Sequence, residues 1–464
     1  MFPSCRGKAL SYNAQMQLDK IFKAYDIRGR IDNGELDEGI AKAIGAAFAS
    51  FVATPRLAVG RDIRISSEAL ADAFIAGVTS QGVNVEDVGD VATDMVYYYS
   101  GAHSMPAAMI TASHLPPEWN GIKLTGAGAA PISGETGLTE IKRLTRHPPT
   151  SAESRGTVSH HDIRKSYVDH LFGIVDADRF SDLRVAVDAG NGMAGVIIEQ
   201  VFQRIPATLT GLYLEPDGTF PNHPADPLRP ENLEDLIGLM REQPHDLGVA
   251  FDADADRAFF VDDHLVPLSG STTTAILAKY FLDNEPGATI VHNVIVSRAV
   301  PEMVRRFGGH PVRTRVGHSF IKAVMAESGA VFGGEHSAHY YFRENFRADS
   351  GTLAMLVLLL LLSEDGRPLS ELRREFEPYS QSGELNFRVE NQQASMEDVE
   401  AALDGQSDWL DGLTLEWEDQ WFNLRPSNTE PLLRLNVEAP DPETVASLTA
   451  RVSAIIEGTG GARA

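Results

Sequence analysis

A chain of 464 residues is longer than a single hydrophobic core serves, so about three or four domains are expected. Its 43% hydrophobic and 23% charged residues are those of an ordinary globular protein, and a net charge of -25 argues against nucleic-acid and membrane-surface partners. The single cysteine, Cys5, excludes an internal disulfide and a thiolate metal site, and it suits a cytoplasmic location.

No apolar stretch follows the charges at the N-terminus, so it does not read as a signal peptide, and residues 1–18 read as a mobile extension. One arrangement then recurs: an apolar β-branched strand, a turn, an amphipathic helix and another strand. Its first copy is "LAVGRD" from Leu57, a helix from about Ser66 to Gln81, and "VNVEDVG". The second is "LRVAVDAGNGMAG" from Leu183, a helix, and "ATLTGLYLEP". The third runs from "TIVHNVIVS" through a helix near "AVPEMVRRFG" to "PVRTRVG". The most apolar run, "LAMLVLLLLL" at 353–362, is too short for a bilayer and reads as a buried core helix. Looser composition marks linkers near 146–156, after the strand "RAFFVDDHLVP", and near 375–387. Two strands, the loop "RPSNTEP", the strand "LLRLNVEA" and a helix from about Pro442 to Glu457 then suggest a small α+β domain.

Several stretches carry chemistry. "FDADADRAFF" sets Asp252, Asp254 and Asp256 at alternate positions, which in extended chain send three carboxylates to one side. Like charges so placed call for a cation, and Mg2+, hard and oxygen-preferring, is the natural guest. An EF-hand is a poor alternative, because Arg257 stands where that loop has glycine; a solvated acidic turn is the bland one. Ser113, in "MITASHLPPEWNGIKL", serves equally as a helix cap or, beside His114 and Lys123, as a nucleophile or phosphate carrier. The serine-hydrolase pattern GxSxG is absent around Ser113. Arg425, Ser427, Asn428, Thr429 and Arg434 around a tight turn offer a phosphate cradle, or only a capped turn between strands. In "GGEHSAHYYF", Glu335 beside Ser337 suits vicinal sugar hydroxyls, although a loop glutamate is commonly just exposed. His318 alone reads as a core histidine.

In chain order, "KAYDIRG", "TASHLP", "DADADR", "GEHSAH" and "RPSNTEP" resemble the motifs of the α-D-phosphohexomutase superfamily, in its bacterial phosphomannomutase/phosphoglucomutase branch. The resemblance implies an α/β fold of four domains around a central cleft: three related mixed α/β domains and a C-terminal α+β domain. The boundaries expected are an N-terminal extension over 1–18, then domains over 19–152 (phosphoserine loop), 153–262 (metal loop), 263–376 (sugar loop) and 377–464 (phosphate loop). It implies an isomerase that interconverts mannose 6-phosphate and mannose 1-phosphate through a phosphoserine and a 1,6-bisphosphate, with glucose phosphates as further substrates. Phosphoglucosamine mutase and a non-catalytic sugar-phosphate sensor are the alternatives.

On this resemblance Ser113 is the phosphoserine, Asp252, Asp254 and Asp256 hold Mg2+ against it, and Lys123 and His114 are acid/base candidates. Arg28 and Arg257 steady phosphate oxygens, while Tyr25, Glu335, Ser337 and His318 meet the sugar. Arg425, Ser427, Asn428, Thr429 and Arg434 clamp the phosphate that is not reacting. A hexose 1,6-bisphosphate is the implied activator, hexose phosphates are the partners, and the chain is expected to be a monomer or weak homodimer. A hinge near 378–383 would let the last domain loosen its clamp while the intermediate turns round.

Departures from the family pattern are Leu115 for an asparagine, Ala253 and Ala255 for glycines in the metal loop, Ala338 for a glycine in the sugar loop, and Ile295 where some relatives carry lysine. The two metal-loop alanines are compatible with extended backbone and restrict positive φ.

Overall fold

The computed structural model describes residues 12–427 and 432–464, with side chains from residue 17 onward. The described residues form two compact units, one running through Ser269 and resuming over Ser337–Ser370, the other made of Gly270–His336 and Glu371–Ala464.

The first unit contains two sheets. The six-stranded one is ordered Ile27–Arg30, Trp119–Thr125, Ala107–Ile110, Arg56–Arg61, Asn84–Asp90 and Val158–His160. Its inner strand Arg56–Arg61 runs parallel to Asn84–Asp90 and Ala107–Ile110, as expected of strands joined by helical crossovers, while Trp119–Thr125 returns antiparallel. Helices Glu38–Val52 and Ser67–Thr79 bury their apolar stripes in this core, where the Phe48 and Phe74 rings lie 6.1 Å apart. The helix Tyr12–Ile21 adds Leu18 to the same core, so residues 12–18 are not a loose extension; residues 1–11 lie outside the described set.

The four-stranded sheet is ordered Ala258–Asp262, Leu247–Phe251, Arg184–Asp188 and Thr208–Leu212. Its first two strands are antiparallel and flank the acidic loop. The apolar run lies in the helix Gly351–Asp365, with Leu353 to Leu360 fully buried; among the described residues no helix is long and apolar enough to cross a membrane.

In the second unit Thr289–Asn293 pairs in parallel with both His310–Thr314 and Phe332–Gly334. A six-stranded sheet follows, ordered Gln406–Asp408, Leu413–Glu416, Trp421–Pro426, Leu433–Ala439, Ser380–Arg388 and Ala462–Arg463, and it is covered by Gln392–Ala402 and Pro442–Gly458. Ser380–Arg388 corrects the sequence reading of 375–387 as a linker. It is a nine-residue strand paired with Leu433–Ala439, and its Ser and Gly residues mark an irregularity between Gln381 and Glu384, with Gly383 at φ 68°. The segment proposed as a hinge is therefore largely part of a sheet. Glu438, buried in this unit, accepts from the Arg298 N–H (3.0 Å), Trp421 Nε1 (2.8 Å) and Gln381 Nε2 (2.8 Å).

Candidate active site

Strand register brings the first cluster together. Arg28 faces Gly121 where Ile27–Arg30 pairs with Trp119–Thr125, and Lys123 faces Met109 where Trp119–Thr125 pairs with Ala107–Ile110, the strand whose exit loop carries Ser113. Ser113 is buried and sits at φ 53°, a left-handed conformation that costs a serine about 1 kcal/mol or more. Two features hold it there. Its N–H donates to Thr111 Oγ1 at 2.9 Å. The buried Arg64 guanidinium donates to four carbonyls of the loop, those of Ser113 (2.5 Å), Leu115 (2.6 Å), Pro116 (2.8 Å) and Trp119 (3.1 Å). Arg64 is itself paired with buried Asp62 at 3.1 Å. At Leu115 it is thus the main chain, not the side chain, that is held.

The serine is not a cap. Its Oγ donates to Asp252 Oδ2 at 2.9 Å and lies 3.3 Å from His114 Nδ1. Burial pushes the half-buried His114 well below the ordinary imidazole value, and Arg257, Arg28, His339 and Lys123 push it the same way, which leaves it neutral at pH 7.

The aspartates converge, but through a turn and not through an extended strand. Ala255 N–H donates to Asp252 O at 3.0 Å, and Ala255 has φ 60°, so this alanine occupies the positive-φ region that the sequence reading had taken it to avoid. Candidate ligand atoms of Asp252, Asp254 and Asp256 lie within 4.8 Å of one another, all buried. Gly351 permits the close packing of its helix here, because a Cβ on it would lie 2.8 Å from both Ala255 O and Arg257 O.

Lys123 Nζ donates to Asp254 Oδ2 (2.7 Å) and Asp256 Oδ2 (2.5 Å). Burial alone would lower its pKa; the two carboxylates more than offset this and hold it well above its ordinary value. Arg257 Nε donates to Asp252 Oδ2 at 2.9 Å. Burial pushes the Asp252 carboxyl up to about 8 in spite of Arg257. Three buried polar atoms here have no hydrogen-bond partner: Asp254 Oδ1, Asp256 Oδ1 and Arg257 Nη2. Two bare carboxylate oxygens fit a hard divalent cation, and one bare guanidinium nitrogen fits an anion. Arg28 is half-buried and donates to Asp26 Oδ2 at 2.6 Å, and Tyr25 is half-buried on the same segment.

His339, two residues past Ser337, was not singled out from sequence. Its Nε2 lies 3.6 Å from Asp256 Oδ1 and its Nδ1 is 3.0 Å from Ser337 Oγ, all within the first unit. Between them Ala338 has φ 64°, so a second alanine stands in left-handed backbone.

Glu335 falls in the second unit, where it is buried and accepts from Asn293 Nδ2 at 3.1 Å. Ile295, two residues past Asn293, is also buried, its N–H donating to Asn293 Oδ1 at 3.2 Å. His336 Nδ1 lies 3.0 Å from Ser271 Oγ, and burial pushes its imidazole down to about 4. His318 opens the helix His318–Ser328 and is half-buried. At the base of the last loop Arg425 and Arg434 face each other across a strand pair and reach Glu384 at 3.5 Å and 3.3 Å, while Ser427 N–H donates to Leu432 O at 2.8 Å. Asn428 and Thr429 lie outside the described residues.

Family models of phosphoglucomutase/phosphomannomutase match the chain in order: alpha/beta/alpha domain I over residues 19–150, domain II over 165–265, domain III over 269–379 and the C-terminal domain over 384–455. A phosphomannomutase of Escherichia coli is 39% identical over 90% of this chain and 94% of its own. The chain belongs to the phosphoglucomutase/phosphomannomutase family. A protein of Xanthomonas campestris named for phosphohexose mutases is also 39% identical, over 94% of this chain and 99% of its own. Among solved structures, a phosphoglucomutase/phosphomannomutase family protein of Burkholderia thailandensis superposes with a TM-score of 0.88 at 31% identity, covering 96% of this chain and 99% of the other. A structure described as a putative phosphomannomutase of Thermus thermophilus shares the fold, with a TM-score of 0.82 at 24% identity over 94% of this chain and 98% of its own. The four-domain architecture of the family is thus that of this chain, and its acidic loop is a metal-binding cluster in form.

Proposed function

We propose that this chain is a phosphomannomutase that moves phosphate between Ser113 and a hexose phosphate, interconverting mannose 6-phosphate and mannose 1-phosphate and acting also on glucose phosphates. The observation that carries the reading is the surroundings of Ser113 Oγ: a buried hydroxyl 2.9 Å from Asp252 Oδ2, in a cluster with two bare carboxylate oxygens and a bare Arg257 nitrogen. A phosphate on Ser113 would bring the negative charge that this arginine and a cation lack.

In the first half-reaction a sugar hydroxyl attacks the phosphorus, the bond to Ser113 Oγ breaks, and a hexose 1,6-bisphosphate forms. In the second, Ser113 Oγ takes the other phosphate and the isomeric monophosphate leaves, so a 1,6-bisphosphate added from outside would recharge the enzyme. Mg2+ on Asp252, Asp254 and Asp256, when bound, would offset charge on the transferring group. His114, kept neutral by burial and by cationic neighbours, is the group able to accept a proton at Ser113 Oγ. Lys123, held protonated by two carboxylates, is suited to donate one or to stabilise phosphate charge.

Arg28 and Arg257 would steady the reacting phosphate; Tyr25, His318, Glu335 and Ser337 would meet the sugar. Arg425, Ser427, Asn428, Thr429 and Arg434 would hold the distal phosphate. The same reading takes the protein to be cytoplasmic, a monomer or weak homodimer, with hexose phosphates as its partners.

The test supplies mannose, glucose and glucosamine 1-phosphates separately, with Mg2+ and the matching 1,6-bisphosphate, to wild type and Ser113→Ala. Turnover of the mannose and glucose substrates that vanishes in the variant is expected. Faster turnover of glucosamine 1-phosphate would reassign the sugar, and ligand binding without any turnover would overturn the mutase reading.

A further inference from the structure

We propose that Thr93 sets the metal preference of the Asp252–Asp256 loop, by occupying one oxygen of Asp254 so that only the other is left to act as a ligand. This rests on the reading of the loop as a divalent-cation site.

Thr93 is fully buried and opens the helix Thr93–His103. It grips a single aspartate twice: its N–H donates to Asp254 O at 2.9 Å and its Oγ1 to Asp254 Oδ2 at 2.6 Å. Oδ2 also accepts from Lys123 Nζ (2.7 Å) and Thr111 Oγ1 (3.3 Å). The Thr111 contact is the long one, so Thr93 and Lys123 between them fill the two lone pairs of this oxygen, whereas Oδ1 of the same carboxylate has no hydrogen-bond partner. The next residue fixes Thr93 in turn: Asp94 accepts at Oδ2 from Tyr167 Oη (2.6 Å) and Ser350 Oγ (2.7 Å), which anchors the start of the helix.

Coordination chemistry gives this arrangement a consequence. A carboxylate with one oxygen saturated can bind a metal through one atom only. That suits Mg2+, which demands a near-ideal octahedron at short distance, and handicaps Ca2+, which readily takes both oxygens of a carboxylate at longer distance. Asp256 is arranged similarly, with Oδ2 bonded to Lys123 and Oδ1 without a hydrogen bond, facing His339 Nε2 at 3.6 Å. Of the donors, Thr93 is the one that also holds the main chain of Asp254, so it fixes which oxygen is presented. Groups behind a ligand commonly change metal affinity by about ten- to a hundredfold.

The test is calorimetric titration of Mg2+ and of Ca2+ into the full-length unphosphorylated protein, its Thr93→Val and Thr93→Ser variants, and Asp254→Ala. Thr93→Val should weaken Mg2+ binding and raise the ratio of Ca2+ to Mg2+ affinity about tenfold, while Thr93→Ser, which keeps the hydroxyl, stays close to wild type. Should Thr93→Val not fold, Thr93→Ala, smaller and free of new contacts, carries the same expectation. A folded variant without the hydroxyl that keeps the wild-type ratio overturns the role of Thr93 and leaves the metal site standing. Absence of binding to wild type, with Asp254→Ala indistinguishable from it, overturns the metal reading itself and this inference with it.

Discussion

Replacing Arg64 tests how the serine loop is built. The guanidinium spans the carbonyls of Ser113, Leu115, Pro116 and Trp119 and pairs with Asp62, whose side chain is 1% exposed. Burial pushes the Asp62 carboxyl up, against the pull of Arg64 and Ser67, so removal of the arginine leaves a buried acid short of partners. Breaking a buried pair in this way costs about 3–5 kcal/mol, and Arg64→Ala should lose that much, lowering the first melting transition by roughly 10 °C. Arg64→Lys is the sharper variant. It keeps the charge beside Asp62, but an ammonium on a flexible stem cannot bridge four carbonyls. We expect about 1–2 kcal/mol lost and, because Ser113 is held in left-handed backbone partly by this fork, kcat for mannose 1-phosphate lower by about ten- to a hundredfold with KM little changed. The measurements are calorimetric melting and steady-state kinetics. Arg64→Lys with kcat within about twofold of wild type and an unmoved melting point would refute the claim that the fork positions the nucleophile.

Two further perturbations probe the surroundings. Gly351→Ala places a methyl 2.8 Å from the carbonyl oxygens of Ala255 and Arg257, so it should destabilise by about 1–3 kcal/mol and weaken Mg2+ binding, read by melting and titration; an unchanged protein would mean the metal loop yields freely. His223 donates to Asp188 at 2.9 Å, and this bond raises its pKa against the opposing effect of burial. Its stabilisation is therefore complete below the ordinary histidine value and is lost as pH rises through the raised one, so the melting gap between wild type and His223→Gln should be wider at about pH 5.5 than at about pH 8.5, and an equal gap would contradict it.

Two of the motifs were legible because each is a short turn whose chemistry lies close together in sequence: Ser113 with His114, and the three aspartates. The repeating strands and helices were legible from apolar periodicity, as was the buried helix at 353–362, found as Gly351–Asp365. Other features depend on contacts between residues far apart in sequence. Arg64 sits in an ordinary charged turn, and only the fold brings it to carbonyls some fifty positions later; Thr93 and Asp254 are 161 positions apart. The left-handed backbone at Ala255 and Ala338 was obscured because neither is glycine. Ser380–Arg388 was mistaken for a linker because a strand containing an irregularity and a glycine has loop-like composition. The return of Ser337–Ser370 to the first unit has no local signature at all.

Net charge and local charge part company at this site. A chain carrying -25 overall should repel a sugar phosphate, yet the groups around Ser113 indicate the opposite field. After burial itself, the charges that most oppose protonation of His114 are Arg257 and Arg28, followed by His339 and Lys123. Lys123 engages Asp254 and Asp256 while Arg257 engages Asp252, so the three aspartates are largely offset before any metal is considered. A divalent cation on the two bare oxygens would then carry the cluster to net positive. Surface carboxylates more than about 10 Å away are screened by salt, whereas these buried groups are not. Recognition of an anion by so acidic a protein is favoured when its cations are largely shielded from solvent and already paired, and Arg28, Arg64, Lys123 and Arg257 each meet a carboxylate within the first unit. Pairing fixes the geometry of those cations, and the bare nitrogen of Arg257 keeps one donor available for phosphate.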